Sequence, residues 1–308
     1  GRITVYSGRS ENLIGPLIGQ FEKATGIDVR VRYADTAALA AQLLEEGSRS
    51  PADVFLAQDA GALGAVEAAA LFSVLPQDLL GRVDSAFQSS TGAWVGVSGR
   101  ARVLVYSTDR LSESELPTSI FDLTESRWRG RVGWAPTNGS FQAFVTAMRE
   151  VYGEQRTADW LRGMLANDVQ EYPKNTPIVR AVGDGEIDLG LVNHYYLFRF
   201  LAEDPDFPAA NFYTDPGGAG ALINVAGAAL LKSADNTAAA LRFIAYLLEE
   251  EAQQYFAAET NEYPLAAAVE PAAELPALET LDPPSLKLTS LSDLEGTLEL
   301  LREVGALP

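Results

Sequence analysis

Cysteine is absent from this 308-residue chain, histidine occurs once and methionine twice. Without thiols there is no disulfide, no thiolate metal site and no cysteine nucleophile. A single imidazole is too little for a histidine-rich metal centre, and a Ser-His-Asp triad would have only His194, set between Asn193 and Tyr195, to build on. Basic residues are also scarce. The 23 Lys and Arg face 42 Asp and Glu, a net charge of −19, which argues against nucleic acid or an anionic membrane surface as partner, since both need clustered cations. No apolar run approaches the roughly 18 residues of a spanning helix. A Gly-x-Ser-x-Gly elbow, a phosphate-binding loop and a dinucleotide fingerprint are all missing, so no motif asks for catalysis. If a metal is bound, oxygen must do most of the work.

What is present is ordinary globular composition, 47% hydrophobic and 21% charged, in a length that suggests two domains. The chain opens directly on a strand pattern with no basic and apolar leader, as expected of a cytosolic protein or of a secreted one in its mature form. Ile3–Tyr6, Ile27–Tyr33 and Asp53–Ala57 read as strands, separated by amphipathic helices over Glu11–Ala24 and Ala37–Glu46 that stop at Gly26 and Gly47. Asp35 or Thr36 can cap the second helix. The pattern repeats with strands at Val103–Ser107, Arg131–Ala135, Leu189–Val192 and Asn224–Leu231. Helices are expected at Ser140–Tyr152, Arg156–Leu165 and Thr176–Asp184, with a long one over Asn236–Phe256 and a last one at Leu291–Val304. Alternation of this kind predicts an α/β fold, mostly parallel sheets with helices on both faces.

Two strand-to-helix junctions carry candidate chemistry, because ligands of open α/β sheets bind outside the carboxyl ends of strands. The first is Asn193-His194-Tyr195-Tyr196-Leu197-Phe198-Arg199, whose adjacent tyrosines can both face one crevice while the helix start favours a phenolate. The competing view is one Tyr in the core and one at the surface. The second is Pro136-Thr137-Asn138-Gly139-Ser140-Phe141, where a helix N-terminus offers N–H groups to an anion and Gly139 permits close approach; plain capping is the alternative. Arg9, Arg100 and Arg102 could bring positive charge to the same crevice, or each could form an ordinary ion pair.

Several segments, in order and over almost the whole chain, resemble the ferric-iron-binding proteins of bacterial ABC importers, of the type II periplasmic-binding-protein class. They are Thr4-Val5-Tyr6-Ser7-Gly8-Arg9, Pro51-Ala52-Asp53-Val54-Phe55, Ser98-Gly99-Arg100-Ala101-Arg102-Val103, the Pro136–Phe141 loop, Tyr172-Pro173-Lys174-Asn175 and Asn193-His194-Tyr195-Tyr196. The resemblance implies two lobes with a ligand cleft between them, residues 1–99 with 224–275 and residues 100–223 with 276–308. It implies Fe³⁺ captured without enzymatic turnover on the phenolates of Tyr195 and Tyr196, and a synergistic anion, carbonate or phosphate, cradled by Asn138, Gly139 and Ser140. Asn175, Asn193, Gln58 and Tyr172 match or neighbour supporting positions. It also implies a mature periplasmic monomer, anchored or not as a precursor, that hands its cargo to a membrane permease. The alternative in the same class is an organic solute or anion bound without metal.

The chemistry is consistent with that assignment. Fe³⁺ is a hard cation suited to anionic oxygen, and binding must expel phenolic protons, so affinity falls with pH. The chain also departs from the family. Where some members add His and Glu ligands it has Ser10 and Gln58, and where another subgroup has a third tyrosine it has Phe141. Tyr33, at the end of the second strand, is the expected third ligand, with anions or water filling further positions.

Overall fold

A computed structural model describes residues 1–308. The strands and helices alternate from the start: β1 (Arg2–Ser7), α1 (Glu11–Thr25), β2 (Asp28–Tyr33), α2 (Thr36–Glu46), β3 (Val54–Ala57), α3 (Ala60–Ala68) and the single turn α4 (Gln77–Leu80). The middle of the chain gives β4 (Trp94–Ser107), β5 (Val132–Trp134), α5 (Gly139–Tyr152), α6 (Glu154–Ala166), β6 (Gln170–Glu171), α7 (Asn175–Gly183), β7 (Leu189–Asn193) and α8 (Tyr196–Glu203). There follow β8 (Ala209–Phe212), β9 (Ile223–Leu230), α9 (Thr237–Leu247), α10 (Glu250–Glu259), β10 (Tyr263–Pro264) and α11 (Leu294–Glu303). No helix is long and apolar enough to cross a membrane.

The chain divides into two compact units. The first comprises residues 1–99, 224–277 and 287–292, the second residues 100–223, 278–286 and 293–308. The C-terminal stretch is therefore shared, where the sequence assigned all of 276–308 to the second unit. Lys287–Ser292 goes to the first unit because α3 presents Gly61 and Gly64 to it. A Cβ at these positions would stand 2.6 Å from the Leu291 carbonyl oxygen and 2.9 Å from that of Thr289, so only glycine admits the segment.

In the first unit β1 runs parallel to both β2 and β3, and β3 runs antiparallel to β9. Helix α1 buries Ile14, Leu17, Ile18 and Phe21, the i, i+3, i+4, i+7 stripe of a helix lying on a sheet. Gly26, left-handed at φ 69°, ends it by donating to the Glu22 carbonyl. Phe21 meets Phe243 of α9 edge-on at 5.1 Å. Each such buried ring contributes about 2–3 kcal/mol of transfer free energy. The long helix expected over Asn236–Phe256 is broken at Leu248–Glu249 into α9 and α10. Buried Gln253 compensates, its amide donating to the Leu247 and Val97 carbonyls while its oxygen accepts from the Leu265 and Ala266 N–H groups.

In the second unit the C-terminal half of β4 is flanked by β7 and β8, both antiparallel, and β5 runs parallel to β7 and β6. The sheets are thus mixed rather than mostly parallel. The reason lies in β4 and β9, which carry the chain past the unit boundary and so do not follow the crossover that keeps strands parallel. Val103 and Val105 of β4, Val192 of β7, Ile178 and Val182 of α7, and Leu197 and Phe200 of α8 form one core. This core positions the Tyr195–Tyr196 junction.

Candidate metal and anion site

Strand β7 owes its place to a glycine. Gly190 lies so close to α7 that a Cβ there would fall 2.2 Å from Ile178 Cγ2. The strand pairs with β4 so that Asn193 stands opposite Arg102. At its end the chain is fixed by His194, fully buried, whose N–H donates to the Ala101 carbonyl at 3.0 Å and whose Nδ1 accepts from the Ala101 N–H at 3.1 Å. The His194 carbonyl accepts from Asn211 Nδ2 at 2.8 Å. His194 thus holds backbone, and the two residues after it are free to turn out of the strand together.

Tyr195 already has helical dihedrals (φ −71°, ψ −16°), and Tyr196 begins α8. Their rings stack with centroids 4.4 Å apart and planes 28° from parallel. Tyr195 is buried against the His194 ring, and Tyr196 packs on the core that includes α7 and α8. Burial, and then the neighbouring Tyr195 hydroxyl, push the Tyr196 phenol well above its usual range, while Arg100 and Arg199 pull it back. The Arg199 guanidinium also lies 5.7 Å from the Tyr196 ring centre. The two phenol rings are therefore held together, and burial disfavours the ionised form of Tyr196.

Two buried arginines of β4 complete the surroundings, each only 3% exposed. Arg102 Nη1 donates to Asn193 Oδ1 at 3.2 Å and approaches Ser140 Oγ at 3.4 Å, and its guanidinium lies 5.2 Å from the Phe144 ring centre. Its Nε and Nη2 have no hydrogen-bond partner, and neither has Arg100 Nε. Burial lowers the Arg102 pKa to about 9 against the opposing pull of Tyr196 and Tyr195. Next to Arg102 is the first turn of α5. There Asn138 Oδ1 accepts from the Ser140 N–H at 3.0 Å and from Asn175 Nδ2 at 3.1 Å, and Asn175 also donates to Ser140 Oγ at 3.2 Å. A Cβ on Gly139 would meet nothing within 4 Å, so the helix start stays open to a ligand. Nowhere do three or more His, Cys, Asp or Glu side chains gather as a possible metal cluster. The chemistry on offer is phenolic oxygen beside desolvated cationic N–H groups.

Residues 49–284 match the model of the family described as bacterial extracellular solute-binding protein. The chain belongs to that family. This solute-binding protein is 37% identical to the major ferric iron-binding protein of Neisseria meningitidis serogroup A over 310 aligned residues, covering 98% of this chain and 92% of the relative. It is similar in structure to iron-bound HitA from Pseudomonas aeruginosa, with a TM-score of 0.92, 34% identity and 99% of each chain covered. A Trichodesmium protein (IdiA, FutA) in complex with iron and citrate ligands gives a TM-score of 0.88 at 28% identity over 99% of each chain. The fold is that of the type II periplasmic binding proteins, as the sequence resemblance implied.

Of the remaining candidates of this solute-binding protein, Arg9, Gln58, Tyr33 and Ser10 fall in the first unit. Arg9 is 1% exposed and forms a buried ion pair with Glu262, its guanidinium 5.8 Å from the Phe256 ring centre. The ion-pair alternative for Arg9 thus holds, with a buried partner rather than a surface one. The Gln58 N–H donates to Thr36 Oγ1 at 3.1 Å, while its Oε1 is buried without a partner. Tyr33 ends β2 with its hydroxyl 3.8 Å from where a Gly15 Cβ would stand, and burial, Glu11 and Glu22 push its pKa up. Ser10, the N-cap of α1, is exposed and makes no side-chain capping bond. In the second unit Phe141 is fully buried against Trp134 and Phe144. Tyr172 packs beside β5, where a Gly133 Cβ would stand 3.0 Å from its ring, and burial raises its pKa. Arg199 closes the cluster that the sequence singles out, but sequence reasoning gives it no role. Its spacing of three from Tyr196 on a helix was the available signal.

Proposed function

We propose that this protein captures Fe³⁺ for an ABC importer, holding it on the phenolates of Tyr195 and Tyr196 together with a synergistic oxyanion, carbonate or phosphate. The observation that carries the reading is the stacked phenol pair set beside two buried arginines, of which Arg102 Nε and Nη2 and Arg100 Nε lack partners. A trivalent hard cation repays deprotonation of buried phenols, and an anion repays the desolvated guanidinium. Asn138, Gly139, Ser140 and Asn175, gathered at the start of α5 beside Arg102, are proposed to help seat that anion, with Asn193 steadying Arg102. Tyr33 is the protein donor proposed from the first unit. The names of the relatives support a ferric cargo, and the family supports a periplasmic, binding rather than catalytic role with a membrane permease as partner; a monomer suffices for it.

The test is iron loading in the presence and absence of bicarbonate or phosphate. One iron per chain and a phenolate-to-iron absorption band that depends on the anion are expected. A colourless, iron-free protein after exposure to ferric citrate at neutral pH would contradict the reading. The open Arg102 edge alone would also suit a carboxylate solute without metal. In that case a solute panel, and not Fe³⁺, would raise the melting temperature.

A further inference from the structure

Asn211 belongs to none of the segments that carry the candidate chemistry, yet its side chain reaches the peptide from which the tyrosine pair starts. It stands opposite Val105 on one edge of β4, as Gly190 of β7 does on the other. Residues paired in this way point to the same face of a sheet, so Asn211 is directed to the side on which Gly190 meets α7. That side is apolar, with Val105, Ile178, Leu197 and Ala209 in one core. There Asn211 Nδ2 donates to the His194 carbonyl at 2.8 Å, while its Oδ1 is buried without a partner. An unpaired buried acceptor costs stability, and turning the amide over would set oxygen against oxygen. The donor is therefore the half of the amide that has a role.

The carbonyl needs that donor. His194 is fully buried and precedes Tyr195, the N-cap of α8, so its carbonyl stands one residue before the first that the helix ladder uses. The two bonds with Ala101, from the His194 N–H and to its Nδ1, hold the ring and the peptide between Asn193 and His194. The bond from Asn211 holds the next peptide, between His194 and Tyr195. Rotation of that peptide would swing both phenols, since Tyr195 and Tyr196 follow it with their rings stacked 4.4 Å apart. Groups that act together at one site must be held within about 0.5 Å and roughly 10–20°. Resting on the iron reading above, we propose that Asn211 is a positioning residue for the cargo. It acts through the His194 carbonyl rather than on the ion, and by fixing the 194–195 peptide it sets where the two phenolic oxygens meet the iron.

The test compares Asn211→Leu, which keeps the size and removes the donor, with Asn211→Gln, which keeps the donor on a longer arm. Each is loaded with Fe³⁺ and bicarbonate, and the absorption band per bound iron and the rate of iron loss to a chelator are read. In Asn211→Leu the band is expected to shift or weaken and iron to leave at least tenfold faster. In Asn211→Gln both are expected to return towards the native values. A merely structural role would lower the melting temperature of Asn211→Leu and leave the band per iron as in the native chain. An unchanged band in Asn211→Leu, or an equal loss in both variants, overturns the proposal. If the native chain forms no band, the iron reading itself has failed, and positioning is then judged on the iron-free protein. There the near-UV circular dichroism lost on Tyr195→Phe is compared in the native and Asn211→Leu backgrounds. A smaller difference in the Asn211→Leu background upholds the role of Asn211 in orienting the pair, and an equal one overturns it. Far-UV circular dichroism checks folding, and if Asn211→Leu does not fold, Asn211→Ala is read by the same criteria.

Discussion

Arg102 and Asn193 face each other across antiparallel strands β4 and β7, and their side chains join through an Nη1–Oδ1 hydrogen bond of 3.2 Å. The bond fixes which edge of a buried guanidinium is left open, and therefore where an oxyanion can sit. A hydrogen bond to a charged group contributes about 1.5–3 kcal/mol. Asn193→Ala is accordingly expected to weaken anion-dependent iron retention by at least about tenfold, one decade corresponding to about 1.4 kcal/mol. Asn193→Asp keeps the acceptor but neutralises Arg102, so it is expected to weaken retention more than Ala does. Competition with a chelator of known affinity measures both. Equal retention in all three proteins would remove Asn193 from the account.

Gly190 is the packing condition for the whole junction. An added methyl meets Ile178 Cγ2 at 2.2 Å in a fully buried strand, and overpacking of this kind costs about 1–3 kcal/mol. Gly190→Ala is expected to lower stability by that amount in denaturant titration. Ile178→Ala in the same chain opens space for the methyl, so the double variant should be less destabilised than the sum of the two single variants, as contacting residues are coupled. Simple additivity would show that β7 and α7 are not in the contact described.

Helix α11 is tied to α5 by Arg149, which donates to Asp293 Oδ2 at 2.9 Å and to Thr297 Oγ1 at 3.0 Å. The Asp293 carboxylate is held below its usual pKa, first by the Gly296 N–H and then by Arg149. A carboxylate depressed in the folded state adds stability that is complete above its unfolded value of about 3.9 and is lost as pH falls through the lower folded value. The pair is solvent-exposed on the Asp293 side, so its contribution is below about 1 kcal/mol. Melting temperatures of the native chain and Asp293→Asn are expected to differ by a constant amount from pH 7 to pH 5 and to converge below pH 4. A difference that stays unchanged as pH falls below 4 would assign it to packing instead of charge.

The parts of the site that lie close together in sequence were legible there. The tyrosine pair follows a strand of five residues, and the Asn138–Ser140 loop caps its own helix, so residue type and spacing sufficed. Long-range pairings were not legible. Arg9 looked like a cation available to a ligand because its partner Glu262 lies 253 residues away. Arg102 and Asn193 are 91 residues apart, and nothing local says that their side chains meet. The first half of β4 was missed because Gly96, Gly99 and Arg100 resemble a loop, although every residue of the strand is buried. The break between α9 and α10 has neither Gly nor Pro to announce it; it is tolerated because Gln253 takes up the carbonyl at the end of α9.

The central claim is that the stacked phenols of Tyr195 and Tyr196 hold the cargo. It is tested most directly by the visible spectrum and iron content of Tyr195→Phe and Tyr196→Phe after loading with Fe³⁺ and bicarbonate, with circular dichroism as the check on folding. The account predicts that either variant, folded as the native chain, loses most of the phenolate-to-iron absorption and retains far less iron. Full iron content with an unchanged band in both variants would contradict it.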